Sequence, residues 1–301
     1  GGTFDAYVFI LSGTTGGLIG HSDSTNEVLD GILHISGPNS NRDTMSIGGT
    51  SVDSQSQVYI AASNYRLDVA GVIPETKIDG VLVSDSVGGG VDGYSNSGGV
   101  ALKLDGNTGQ FVWSTAFSHD PNYDPATEFS AERFTRIGSI VEVDGDIVVS
   151  GIHSFRGGLI ASYTDYADLL ANTPPDSSRR EELLPLDPSA DFATASFMLA
   201  LNPLDGKPLK RQASNDWKML SLKNIGTQMI SNGGAVLLLE KCGDDILSTL
   251  LAREATDNQF GTWVYNGSAH IFTPLNGGSG LGQIFTPVGD WTSVFTVLSP
   301  E

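Results

Sequence analysis

One phrase occurs four times along the chain, and each copy starts with an aliphatic residue followed by glycine. Each copy continues through a polar turn into an apolar strand such as VYIAAS or IVVSG. The copies occupy residues 47–62, 137–151, 225–239 and 281–297. Repetition of this kind indicates an architecture in which every copy forms the same supersecondary unit.

A second repeated phrase has the pattern of a β-hairpin, with an alternating apolar strand, a turn rich in Gly, Asn and Asp, and a second strand. Its copies occupy residues 5–20, 98–116, 195–214 and 247–265. One unit is therefore a hairpin, a spacer and a further pair of strands. Four strands per unit, repeated, predict an all-β fold, namely a β-propeller of four-stranded blades.

The repeats predict a single β-propeller domain over residues 1–301 with four units and three inserts. The units cover about 5–65, 98–154, 195–242 and 247–299, and the inserts cover 66–97, 118–133 and 163–194. The unit spacing exceeds the roughly 40–50 residues of a plain blade. Either the inserts are long loops on one face, or the first insert contains a degenerate fifth blade. The ring closes within this chain, where the first and last strands are expected to share one blade, or it is completed by another chain.

The insert at 163–194 predicts short helices between prolines. Tyr166, Leu169 and Leu170 have helical spacing, and residues 178–181 have capping-box form ahead of Leu183. Because long loops on rigid scaffolds often carry binding, this insert is either a contact for a partner or a plain surface loop.

Three segments resemble known propeller repeats. The segment ALKLDGNTGQFVW at 101–113 is similar to the PQQ-type propeller repeat, and FDAYVFILSGTTG at 4–16 with VDSQSQVYIAAS at 52–63 resembles the related bacterial Asp-Ala-Phe-Val repeats. The resemblance implies a propeller. Proteins with PQQ-like repeats include scaffold proteins of bacterial envelopes, so the resemblance also allows a scaffold role. PQQ enzymes bind their cofactor beside vicinal cysteines. This chain has a single cysteine, Cys242, so the resemblance does not carry the cofactor or the activity.

Charge and cysteine content limit the classes of partner and the cellular location that we expect. With 16 basic and 35 acidic residues the net charge is −19, which disfavours nucleic acid and anionic membranes. No apolar run approaches the roughly 20 residues of a membrane span. The acidic surface favours an extracellular or cell-surface protein, or serves solubility alone. The start without Met suggests a processed form or an excised segment. Cys242 allows no intramolecular disulfide; it is either a buried thiol or a link to another chain.

Two modification or metal sites are candidates. Asp120, Asp124 and Glu128 offer the hard oxygen ligands that suit calcium, without EF-hand spacing. Asp-Gly pairs elsewhere serve more simply as turn formers. Asn266 lies in a glycosylation sequon.

Local catalytic motifs are absent from the sequence: it has no GxSxG elbow, Walker loop or HExxH. Residues 88–93 match GxGxxG but lead into a strand rather than a helix, so they predict a loop and not a cofactor site. His34 and His153 fall in strands as packed or rim residues, and the four tryptophans, one near each repeat, fit packing between blades.

The sequence therefore favours a non-enzymatic extracellular β-propeller, used for structure or recognition in a larger surface, adhesive or filament protein. Its expected partners are other proteins, copies of itself or glycans. The alternative is a secreted polysaccharide hydrolase or lyase with paired carboxylates in the central funnel.

Overall fold

The structure, a computed structural model, describes about three fifths of the chain. The described residues are 6–19, 32–36, 43–66, 76–79, 81–83, 96–118, 133–143, 145–154, 158–185, 194–210, 215–217, 219–222, 237–242, 245–253, 262–265, 268–271, 284–285 and 291–298. Strands dominate them, so the predicted all-β class is confirmed. None of the helices in these ranges has the length and apolarity to span a membrane.

The described elements are strands apart from one short α-helix and one 3-10 turn. In chain order the strands are β1 (Ala6–Leu11), β2 (Leu18–Ile19), β3 (Ile32–Ser36), β4 (Asp43–Val52), β5 (Gln57–Arg66), β6 (Lys77–Ile78), β7 (Val81–Leu82), β8 (Asn96–Asp105), β9 (Phe111–Ser118), β10 (Arg133–Val143), β11 (Asp146–Ser154), β12 (Leu159–Asp165), β13 (Arg180–Leu184), β14 (Thr194–Leu201), β15 (Met219–Leu222), β16 (Leu237–Cys242), β17 (Asp245–Arg253), β18 (Thr262–Tyr265), β19 (Ser268–Ile271), β20 (Ile284–Phe285) and β21 (Trp291–Leu298). The helix α1 (Tyr166–Leu170) and the 3-10 turn Ser177–Arg179 lie between β12 and β13.

These strands form three hydrogen-bonded sheets, none of which closes on itself. The largest, of 12 strands, consists of two antiparallel parts, which we describe as separate sheets, so that four are numbered below. The first sheet has the order β2-β1-β3-β6-β7 and the second β4-β5-β8-β9-β12-β13. The third sheet has the order β10-β11-β14-β15-β18-β19 and the fourth β16-β17-β21-β20. A two-residue parallel pairing between the starts of β8 and β10 joins the second and third sheets.

The aliphatic-glycine phrase forms the same irregularity in its first two copies. The register with the partner strand shifts at Ile47/Gly49 in β4 and at Ile137/Ser139 in β10, so each phrase places a β-bulge at its glycine. The two bulges meet, because a Cβ built on Gly48 would lie 2.7 Å from the Ile137 carbonyl oxygen. Glycine is required there for the close approach of the two backbones.

The hairpin phrase forms the same turn in three copies, at residues 12–17, 105–110 and 202–207. In each turn the fifth residue is a glycine with positive φ: 66° at Gly16, 74° at Gly109 and 72° at Gly206. The N–H of that glycine donates to the carbonyl of the first residue at 2.7–2.9 Å. The first side chain, Ser or Asx, also accepts from the N–H of the third residue, at 3.4, 2.8 and 2.9 Å respectively. This repeated turn aligns the three hairpins residue by residue.

The sheets are out of phase with the repeat units. The second sheet joins the strand pair β4-β5 of the first unit to the hairpin β8-β9 of the next, and the third sheet joins β10-β11 in the same way to β14 of the following unit. A sheet is therefore completed only when the next unit folds onto it.

Among the residues whose burial the structure describes, two hydrophobic cores lie between successive sheets. The core between the first and second sheets contains Ala6 and Ile35 from one side and Val100, Leu102 and Leu104 from the other. The core between the second and third sheets contains Ala101 and Trp113 facing Phe197, Leu199 and Leu201. The second sheet is thus apolar on both faces and contributes to both cores.

The insert at 163–194 contains one short helix, as its spacing predicts. The prediction of a second helix, after residues 178–181, is wrong. Residues 180–184 form β13, which pairs with β12 along residues 159–162 and extends the second sheet. Pairing with an available edge and burial of Leu183 outweigh the local helical pattern. The capping box lies at Asp165 and Asp168, at the start of α1, instead of at Ser178.

The first insert supplies no separate sheet among the described residues: its strands β6 and β7 extend the first sheet through β3. The expected sharing of one blade by the first and last strands is also not found in the described pairings. There β1 pairs with β2 and β3, and β21 pairs with β17 and β20.

Candidate functional site

A group of buried and part-buried polar contacts surrounds the turn at 202–207, which the third sheet presents to the second. The carbonyl oxygen of Pro203 accepts hydrogen bonds from Lys103 Nζ at 2.9 Å and from Trp113 Nε1 at 3.0 Å. The Thr115 hydroxyl donates to the Gly206 carbonyl oxygen at 2.6 Å. Three side chains of the second sheet therefore hold two carbonyls of one turn, and we call this group the turn seat.

Lys103 of the turn seat is a buried lysine with an exposed fraction of 8%. Burial lowers the pKa of its ammonium group, and the nearby carboxylates of Asp53 and Asp105 oppose that effect. Its Nζ also lies 5.6 Å from the centre of the Tyr59 ring. The Tyr59 hydroxyl in turn donates to Asp53 Oδ2 at 2.9 Å, and burial followed by this bond raises the pKa of Tyr59 well above its usual range.

A second polar group lies where α1 and the 3-10 turn meet. Arg179 Nη2 contacts Asp165 Oδ2 at 3.1 Å and Asp168 Oδ2 at 2.9 Å. Burial disfavours ionisation of Asp165, but hydrogen bonds from the Asp168 N–H and from Arg179 outweigh it and lower the pKa of Asp165. The centre of the Tyr163 ring lies 5.8 Å from the guanidinium carbon of Arg179 and 5.1 Å from Lys207 Nζ.

Of the hydrogen bonds and ion pairs in these two groups, only those of the turn seat join two sheets, whereas the Arg179 contacts and the Tyr59–Asp53 bond lie within the second sheet and its insert. Lys103 and Trp113 donate to a backbone carbonyl, Arg179 neutralises two carboxylates, and Tyr59 is bonded to Asp53. The turn seat holds the third sheet on the second.

Asp79 forms a third, isolated polar contact in the first sheet. It occupies the β6–β7 turn with φ 48°, its N–H donates to the His34 carbonyl at 2.8 Å, and its Oδ1 accepts from the His34 N–H at 2.8 Å. Burial raises the pKa of Asp79 to about 6. This residue locks the turn onto β3, as expected of an Asp-Gly turn former.

The first sheet also presents an apolar face to solvent. Tyr7, Phe9 and Leu11 alternate along β1 and are exposed by 58%, 57% and 54%, and Leu18 of β2, the register partner of Leu11, is exposed by 50%. The intervening residues Ala6, Val8 and Ile10 pack against the first core. We call the exposed set the first-sheet face.

Most sites proposed from the sequence fall outside the described residues. The candidate calcium ligands Asp120, Asp124 and Glu128 lie there, as do Asn266 and residues 88–93. Cys242 ends β16, where it is the register partner of Asp245. His153 is fully buried in β11 and contacts the Phe197 ring edge-on at 5.8 Å, which confirms it as a packed residue.

The described part of the chain brings no three His, Cys, Asp or Glu side chains together in a metal-binding group. The sequence analysis did not predict the turn seat. The signal for Lys103 was present: it alternates with Ala101 on the face of β8 that lies opposite Leu102 and Leu104. A lysine on a strand face that is otherwise buried predicts a specific partner for its ammonium group.

Comparison of the chain with protein-family models, with curated proteins and with solved structures gave no match.

Proposed function

We propose that the chain is an extracellular, non-enzymatic β-propeller module used for structure or recognition within a larger surface, adhesive or filament protein. The observation that carries the proposal is one packing relation that occurs twice. Aligned on the repeated turn, Ala6, Val8 and Ile10 of β1 correspond to Gly99, Ala101 and Lys103 of β8. Each of these two faces covers the same face of the following hairpin.

The covered faces correspond in the same way. The β1 residues pack in the core with Val100, Leu102 and Leu104, while Ala101 packs in the core with Phe197, Leu199 and Leu201, the matching positions of β14. A constant relation between successive sheets, continued along the chain without displacement along the axis, arranges sheets radially about that axis, and this is the geometry of the propeller that we propose. The PQQ-like and Asp-Ala-Phe-Val-type resemblance of the repeats supports the same architecture.

The non-enzymatic role is supported by what the buried polar groups contact. Lys103, Trp113 and Thr115 donate hydrogen bonds to the turn of the next sheet, so these side chains serve to join the two sheets. The net charge of −19 favours an extracellular surface with protein or glycan partners and without nucleic acid. Calcium at Asp120, Asp124 and Glu128 and a glycan on Asn266 remain part of this proposal.

Imaging of the intact parent assembly by cryo-electron microscopy tests the architecture and the role together. We expect radially arranged sheets, with contacts to neighbouring molecules made by edges, inserts or outer faces. Incubation of the purified chain with neutral and acidic polysaccharides should leave the number of reducing ends and of unsaturated ends unchanged. A two-layer sandwich would refute the propeller, and new chain ends that disappear on carboxylate substitution would establish the hydrolase or lyase alternative.

A further inference from the structure

Three buried hydroxyl groups of the second sheet have no hydrogen-bond partner in the part of the chain that the structure describes. They belong to Ser114, Ser162 and Thr164, whose side chains are exposed by no more than 1%, and we call them the hydroxyl row. A buried hydroxyl without a partner costs free energy, because water would bond it in any state that exposes it. The hydroxyl row therefore favours a state of the protein in which water reaches it.

The helix α1 packs on the face of the second sheet that carries the hydroxyl row. Leu102, Ser114 and Thr164 are register partners side by side on β8, β9 and β12, so their side chains share one face of the sheet. Ser162 lies two residues before Thr164 and belongs to the same face. Leu169 of α1 lies in the same core as Leu102, and α1 contacts both β9 and β12. Since β12 leads directly into α1, displacement of the helix uncovers this face beside Thr164.

Residues 166–178, which we call the α1 segment, connect β12 to β13 and are fastened mainly to their own ends. The hydrogen bonds and ion pairs that the structure gives for the α1 segment all involve residues 163–179. The ion pair of Arg179 with Asp168 is partly open to water, and such pairs stabilise little. The buried residues of the segment are Leu169 and Pro175. Its attachment to the second sheet therefore depends on a few apolar side chains.

We propose that the α1 segment is a flap, which opens by local unfolding and lets water reach the hydroxyl row while the sheets stay folded. A five-residue helix is unstable away from the body of a protein, so the open segment is unfolded. Opening exposes Leu169, which favours the closed state, and it hydrates Ser114 and Thr164, which favours the open state. The insert at 163–194 thus has two states, and only the open one presents this face to solvent or to a partner. The inference goes beyond the proposed function and does not depend on it.

Hydrogen–deuterium exchange of the full chain tests the flap. The reporters are the N–H groups of Ala171, Asn172 and Thr173, which donate to carbonyls of α1. In the wild type we expect these reporters to exchange at least about tenfold faster than the N–H groups at the centres of β8 and β9, because they open without the sheets. Leu169→Ala should speed up the reporters by a further factor of about ten or more, since it removes the apolar contact that closes the flap.

The substitution Thr164→Val tests the part played by the hydroxyl row. It removes the hydration that the open state gains, so the reporters should exchange about fivefold more slowly. Thr115→Val is the matched control. The Thr115 hydroxyl is bonded to the Gly206 carbonyl oxygen, away from α1, and this bond persists when the flap opens. Thr115→Val should therefore leave the reporters unchanged. Circular dichroism spectra verify that each variant is folded.

Each outcome supports or overturns the flap. Reporters that exchange no faster than the strands overturn it, because they then open only with the whole fold. An unchanged reporter rate in Thr164→Val also overturns it, since Thr164 then stays covered when the segment opens. A faster rate in this variant would mean that the Thr164 hydroxyl is paired in the closed protein, which equally overturns the inference. None of these results touches the non-enzymatic role, which new polysaccharide ends would refute.

Discussion

Two threonines on neighbouring strands differ in what their buried hydroxyls contact. Thr115 donates to the Gly206 carbonyl oxygen, whereas the hydroxyl of Thr164, exposed by 1%, has no hydrogen-bond partner in the described structure. We expect Thr115→Val to lower the free energy of unfolding by about 1–3 kcal/mol, because it leaves a buried carbonyl unpaired. Thr164→Val should be neutral or stabilising, since it replaces an unpaired polar atom by a methyl group. Urea unfolding of both variants measures the difference, and equal losses would contradict the assignment.

Asp79 should make the stability of the first sheet depend on pH. Its pKa is raised from 3.8 to about 6, so the folded state binds the proton more tightly than the unfolded state. The stability that this proton contributes is fully present below pH 3.8 and is lost as the pH rises through 6. Asn in place of Asp79 keeps an acceptor for the His34 N–H and tolerates the positive φ.

We therefore expect Asp79→Asn to gain stability relative to the wild type as the pH rises from about 4 to 7. The gain should be about 1 kcal/mol, reduced from the full shift because the carboxyl is only partly buried. Urea unfolding at a series of pH values measures it. A difference between variant and wild type that is constant across this range would mean that Asp79 does not titrate as its surroundings require.

At the scale of the element, the repeated turn separates backbone strain from packing between sheets. Gly16 and Gly206 have φ of 66° and 72°, but a Cβ on Gly16 would meet no atom within 4 Å, while one on Gly206 would lie 2.5 Å from the Trp113 ring. We expect Gly16→Ala to cost about 1–2 kcal/mol from the left-handed backbone alone. Gly206→Ala should cost clearly more, because it also displaces the turn from the turn seat. Thermal unfolding compares the two, and equal losses would show that the turn seat contributes little.

The elements that the sequence predicts well are those whose signals are local. The hairpin turns and the aliphatic-glycine phrases are specified by residues a few positions apart, and the structure contains three of the turns and two of the bulges. The prediction of a helix at residues 180–184 was wrong because these residues form a strand only by pairing with β12. The turn seat was missed for a similar reason, since Lys103 and Pro203 are 100 residues apart in sequence.

At the scale of the whole molecule, the repeat predicts how many units there are but not how they meet. The repeated phrases do not determine whether β4-β5 pairs with the hairpin of its own unit or with that of the next unit, because both hairpins offer an equivalent edge. In the structure β5 pairs with β8 of the next unit. The apolar residues Tyr7, Phe9 and Leu11 of β1 follow the same pattern as the matching residues of β8 and β14, yet among these three strands only β1 exposes them. Whether a face is covered depends on where the series of sheets ends, which the sequence of one unit does not contain.

The second sheet contributes to both described cores, so damage to it should reach its two neighbours together. Leu102 is fully buried between the first and second sheets, and Leu102→Ala should lower the free energy of unfolding by about 2–5 kcal/mol. Hydrogen–deuterium exchange should then speed up in β1 and β3 and equally in β10, β11 and β14, because Ala101 and Trp113 of the same sheet form the second core. Leu204→Ala, at an exposed position of the turn, should leave the exchange of all these strands unchanged. Faster exchange confined to the first sheet would show that the sheets unfold independently, and the repeat would then be a string of separate units.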